Sequence, residues 1–150
     1  MSDCRALFTE ESIINSIRKL LAGRVNEILA ETEFSIPLIE FGGYEGGTSI
    51  NPMIRLSTCE RTEKERVIRV DAYALSITFT LPENPDSELH CYAYAAAVDR
   101  ALAENPALGG IADRVVLTGK KYNRPKLLHC VEEGWEVVLT LRITVERAGK

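Results

Sequence analysis

The side chains best suited to chemistry occur in two matching dipeptides, His90-Cys91 and His129-Cys130. Two imidazoles and two thiolates would complete a tetrahedral zinc site. Neighbouring residues point in different directions, however, and on a strand to opposite faces. One His-Cys dipeptide therefore rarely supplies two ligands to one metal, and ordinary buried thiols and surface imidazoles are the expectation. Either histidine has the pKa range of a general base, but no serine or cysteine sits in a G-x-S-x-G elbow. Gly42-Gly-Tyr-Glu-Gly-Gly47 is the one glycine-rich stretch. It lacks the lysine and hydroxyl of a phosphate-cradling loop and the strand-to-helix setting of a dinucleotide fingerprint. Asp71 lies inside an apolar strand pattern and Asp99 on an alanine-rich helix. Each is expected to face solvent or to pair with an arginine. The run Lys120-Lys-Tyr-Asn-Arg-Pro-Lys126 holds four cations in seven residues with one aromatic. It reads as a basic hairpin loop, able to contact nucleic acid or an acidic partner. No catalytic, metal or cofactor constellation emerges, and the chain is expected not to be an enzyme.

The elements that carry these residues are legible from periodicity. Apolar Ile13, Ile14, Ile17, Leu20, Leu21, Val25, Ile28 and Leu29 follow a helical period after Thr9, Glu10 and Glu11, which suit a helix start. Gly23 inside this helix suggests close approach by another segment. Phe34 to Phe41, interrupted by Pro37, reads as an edge strand or irregular segment. Pro52 to Thr58 reads as a short strand and Cys59 to Glu65 as a charged turn. Val67 to Leu81 is a long strand whose apolar phase reverses near Asp71, which suggests a bulge. Pro85-Asp86-Ser87 starts a helix, Leu89 to Ala103, that Asn105-Pro106 ends and Gly109-Gly110 punctuates. Arg114 to Tyr122 and Trp135 to Glu146 are strands, joined by a long hairpin loop. Alternation in the last one marks one buried face and one wet face. The expected fold is α+β: a small mixed, mainly antiparallel sheet with an N-terminal helix and a second helix packed on it.

Composition sets outer bounds. The 150 residues suit a single domain, 1–150, able to bury a core unaided. A hydrophobic fraction of 45% and a charged fraction of 27% exclude disordered, collagen-like and disulfide-dense chains. The net charge of -4 argues against a surface-wide nucleic-acid footprint. Residues 1–60 hold nine acidic and five basic side chains, and residues 61–150 hold thirteen of each. No apolar run suits a bilayer, the first residues show no secretory signal, and the four cysteines are expected to be reduced thiols.

The stretch from Val70 to Val145, with an amphipathic helix before it, resembles the tail terminator (tail completion) proteins of long-tailed bacteriophages and prophages. The resemblance rests on Val98-Asp-Arg-Ala-Leu-Ala-Glu-Asn-Pro-Ala-Leu-Gly-Gly110, on Asp113-Arg-Val-Val-Leu-Thr-Gly119 with Tyr122, and on the last strand. It implies a structural minor tail protein that forms a ring, typically a hexamer, at the end of the tail tube. Such a ring stops tube polymerisation and joins the tail to the head or neck connector. It also implies residence in the virion after assembly in the bacterial cytoplasm, with DNA passing through the ring lumen. Partner contacts would come from exposed loops: Lys120, Lys121, Arg124 and Lys126 in one, Gly43, Tyr44 and Gly46 in the other. The alternatives are another head–tail joining protein, or a small-molecule-binding α+β domain with a pocket near Tyr92, Tyr94 and Asp99.

Overall fold

A computed structural model describes residues 9–32, 35–41, 50–64, 68–81, 85–124 and 134–148. Helix α1 (Thr9–Leu20) leads through a π-helical turn (Leu21–Val25) into the short α2 (Asn26–Ala30). Strands β1 (Met53–Lys64) and β2 (Ile68–Leu81) follow, then α3 (Ser87–Glu104), a 3-10 turn (Leu108–Gly110), β3 (Arg114–Asn123) and β4 (Trp135–Ala148). The result is α+β, with four strands in the order β1-β2-β4-β3. All three strand pairings are antiparallel; the only parallel element among the described residues is an isolated bridge between Ile39 and Ile50.

The inward face of the sheet is set by the odd-numbered residues of β2 and β4. Leu75, Ile77, Phe79, Val137, Leu139, Leu141 and Ile143 are all buried there. Against them lie Ile13, Ile17, Leu21 and Val25 of the first helical segment, with Tyr94, Val98 and Ala101 of α3. The alanines let α3 lie close: Ala95, Ala97 and Ala101 are buried, whereas Ala96 and Ala103 face water. The Tyr94 ring stacks on Phe79 at a centroid distance of 4.7 Å, and its hydroxyl donates to the Pro37 carbonyl.

Several expectations are corrected. Cys59 to Lys64 is strand, not turn. The charges there are tolerated because they face opposite charges on β2: Arg61 stands across from Asp71 and Glu63 across from Arg69. The β2–β4 ladder also runs unbroken past Asp71, so β2 holds no bulge and no phase change. Asp71 keeps the inward phase and is 1% exposed, because Arg61 grips it with two hydrogen bonds of 2.7 and 3.2 Å. The bulges lie in the two edge strands instead. Register shifts at Ser57 in β1 and at Thr118 in β3. In each case the hydroxyl donates to a carbonyl of the adjacent central strand, Ser57 to Ala74 and Thr118 to Thr140. Bulged edges resist unwanted strand addition. Gly23 admits no close neighbour, since a Cβ there would meet nothing within 4 Å. It lies instead within the π-helical turn, where the helical ladder changes register.

The π turn leads directly to Asn26. Ile50 exchanges backbone hydrogen bonds with Leu38 and Glu40, which leaves the N–H and C=O of Ile39 on the other side. The Asn26 side chain covers both. Its amide donates to Ile39 O at 2.8 Å and its carbonyl accepts from Ile39 N–H at 2.7 Å. One side chain thus stands in for a neighbouring strand and fixes the irregular segment to the helix.

The turn after α3 follows its sequence punctuation. Asn105 ends the helix, and its side chain accepts from Gly109 N–H at 3.1 Å. Gly109 and Gly110 take φ values of 71° and 97°, where a Cβ is disfavoured.

Candidate interaction surface

The basic run is not a loop over its described part. Lys120 and Lys121 lie within β3, which alternates its side chains between two faces. The Thr118 bulge decides which residue faces where. Before it, Val115 and Leu117 stand across from Ile143 and Leu141 on the helix side. After it, Lys120 and Tyr122 stand across from Leu139 and Val137, so even-numbered residues take over that side. Lys121 goes to the open face, across from Val138. A Thr-Gly pair inside a strand was the available signal for this phase change.

The helix-side residues meet α3. Asp99 is exposed, as expected, and its partner is a lysine rather than an arginine: Lys120 Nζ lies 3.3 Å from it. Tyr122 packs edge-on against Tyr92 with ring centroids 5.1 Å apart. Arg124 lies 3.8 Å from Glu88 and places its guanidinium 5.8 Å from the Trp135 ring centre. Asn123 donates to Glu136 at 2.8 Å. Two of the three described cations are therefore partly neutralised by α3. What they surround is an exposed apolar group: Tyr92 is 47% exposed, Leu89 39% and Tyr122 38%. Tyrosine and arginine dominate the energetics of protein interfaces, because they add large contact area at modest entropic cost. The composition suits a protein contact better than a polyanion.

The other expected site residues sort as follows. Lys126, Gly43, Tyr44 and Gly46 lie outside the described residues, as do His129 and Cys130. Among the described residues no group of histidine, cysteine, aspartate and glutamate is arranged to hold a metal. Cys91 is fully buried, and burial, aided by Glu88, pushes its thiol up to about 11. It is thus protonated at neutral pH and a poor nucleophile. The proposed pocket residues diverge. Tyr94 points into the core, its phenol pushed up by burial, whereas Tyr92 and Asp99 face outward. At the other end of the sheet, Tyr73 lies 3.4 Å from Glu10 through its hydroxyl, and burial holds that phenol at about 12. It is a neutral donor there. Among the described residues no helix is long and apolar enough to cross a membrane.

No protein-family model matches the chain, and no curated protein matches it either.

Proposed function

We propose that this chain is a structural assembly protein of a phage or prophage tail, a tail terminator. It forms a ring on the end of the tail tube, stops polymerisation and offers a surface to the head or neck. The observation that carries this reading is the exposed Leu89, Tyr92 and Tyr122 group beside Lys120 and Arg124 at one sheet edge. A surface of that composition serves contact rather than catalysis. The likeness of the helix, turn and strand sequence from Val98 to Gly119 to tail terminators supplies the kind of assembly. On this reading the protein acts without catalysis and resides in the tail, having assembled in the host cytoplasm. A hexamer is the expected ring, and the tube protein, the neck connector and passing DNA are its neighbours.

The test is to add the purified protein to polymerising tail tubes and to image the products by negative stain. Tubes of limited length with a ring at one end are expected. Tubes of unlimited length with bare ends, together with a protein that stays monomeric, would sink the proposal.

A further inference from the structure

The described helices pack on the face of the sheet set by the odd-numbered residues of β2 and β4. The even-numbered face is open, and its charges are arranged differently from those of the covered side. On the covered side the strand cations are matched: Asp71 faces Arg61 and Arg69, and Asp99 faces Lys120. The open face carries Arg55, Arg114, Lys121 and Arg142, all exposed. Among the described residues none of these four pairs with a carboxylate, and Arg55 touches only the Met53 sulfur, at 3.7 Å.

The ladders set the three arginines on one diagonal. Arg55 is level with Ser76 and Thr140, Arg142 with Ala74, and Arg114 with Ala72 and Thr144. Strands lie about 4.8 Å apart and same-face residues about 6.8 Å apart along a strand, so the arginine Cα atoms are spaced about 12 and 8 Å and the line spans about 20 Å. The ground beside it is low, because Ala72, Ala74 and Ser76 are short. On β4, Thr140 and Thr144 stand on either side of Arg142, and their hydroxyls have no partner among the described residues. The described carboxylates of this face lie toward its ends. Glu136 is at one end, bonded to Asn123. Glu146 is toward the other, and Glu60 is level with Arg114 but on the opposite edge strand.

We propose that this open face seats the phosphate backbone of double-stranded DNA without reading its sequence. The inference rests on the ring reading above, in which DNA threads the lumen, and it turns this face of each subunit toward that DNA. Guanidiniums take phosphate oxygens in pairs, threonine hydroxyls add short donors, and the small residues let the backbone come close. The face suits other occupants less well. It carries no aromatic ring among the described residues, so unstacked bases find no platform and a duplex is favoured over a single strand. Met53, at one corner, is its only large exposed apolar side chain among the described residues, whereas a protein contact centres on a cluster of them. The net charge of -4 does not oppose the contact, because Glu10, Glu11, Glu27, Glu88, Asp99 and Glu104 all lie on the helices. Four cations give each subunit a weak hold, which a ring multiplies.

The test titrates free protein into fluorescently labelled duplexes of two unrelated sequences over a salt series and reads anisotropy. Wild type should bind both sequences alike, with a log–log salt slope of about -3 to -4. Arg55→Gln, Arg114→Gln and Arg142→Gln together should weaken binding at least about 10-fold at about 50 mM salt and flatten the slope by about 2–3. Arg18→Gln with Lys19→Gln, on α1, should leave affinity and slope unchanged. Circular dichroism verifies each fold, and Arg142→Gln alone, with a slope change of about 1, serves should the triple variant fail to fold. The triple variant should still cap tail tubes. No duplex binding by the wild type, tighter binding of single strands than of duplex, or wild-type affinity and slope in the triple variant overturns the inference and leaves the ring reading standing. A triple variant that binds DNA as wild type does but no longer caps tubes also overturns it and assigns the face to an acidic protein surface. Duplex binding through these arginines by a protein that never caps tubes upholds the contact and removes the ring reading.

Discussion

Asn26→Ala tests whether one side chain holds the segment before β1 in place. Two hydrogen bonds to the Ile39 peptide are lost, at 2.7 and 2.8 Å, together with a third to Ala22 O at 3.0 Å. Ile39 is only 3% exposed, so water replaces those partners poorly. The two Ile39 bonds contribute about 1 kcal/mol each, and the stranded Ile39 N–H adds about 1 kcal/mol of desolvation. Alanine returns about 0.6 kcal/mol through its helix propensity. The expected loss is about 2–3 kcal/mol. Asn26→Asp keeps the acceptor but removes the donor, setting a carboxylate against two carbonyl oxygens, and should cost at least as much at neutral pH. Urea unfolding measures the loss, and hydrogen exchange at Ile39, Glu40 and Ile50 locates it. A loss below about 0.5 kcal/mol, or unchanged exchange at Ile39, would refute the stand-in role.

Three further expectations concern the core and its titrating groups. Arg61→Ala should cost more than Asp71→Ala. It removes two hydrogen bonds from a buried carboxylate, which Arg69 approaches only to 4.0 Å, whereas Arg61 is half-exposed and can turn to water. A double-mutant cycle should give a coupling above about 1 kcal/mol, and a value near zero would place the pair with ordinary surface bridges. Tyr94→Phe keeps the stack on Phe79 but removes the donor to Pro37 O, and should cost about 1–2 kcal/mol in a denaturant titration. Alkaline pH should destabilise the protein. The Cys91 thiol, at about 11 against an ordinary 9.0, keeps its proton in the folded chain where the unfolded chain loses it. Stability is full below about pH 9 and falls as pH rises toward 11, by up to about 1.4 kcal/mol per unit for each such group. Cys91→Ala should flatten the profile between those values; an unchanged profile would assign the loss to Tyr73 and Tyr94.

Local rules carried much of the fold. The helical period after Thr9, the strict alternation of Trp135 to Glu146 and the Asn105-Pro106 stop each depend on neighbours along the chain, and each forms as read. What failed depended on partners distant in sequence. Cys59 to Lys64 looks like a turn until β2 supplies opposing charges across the ladder. Asp71 looks like a phase break until Arg61 satisfies it. The role of Asn26 is invisible without Ile39, which lies 13 residues away in the chain.

The candidate surface shows the same division. The sequence by itself determined that cations and an aromatic cluster between Lys120 and Lys126, and that a strand would lie on either side of them. Only the tertiary structure decided that Thr118 bulges. That one extra residue turns Lys120 and Tyr122 toward α3 and Lys121 away from it. The physical reason is that side-chain direction on a strand has a period of two, so a single inserted residue exchanges the faces, and the partner strand fixes where that insertion falls.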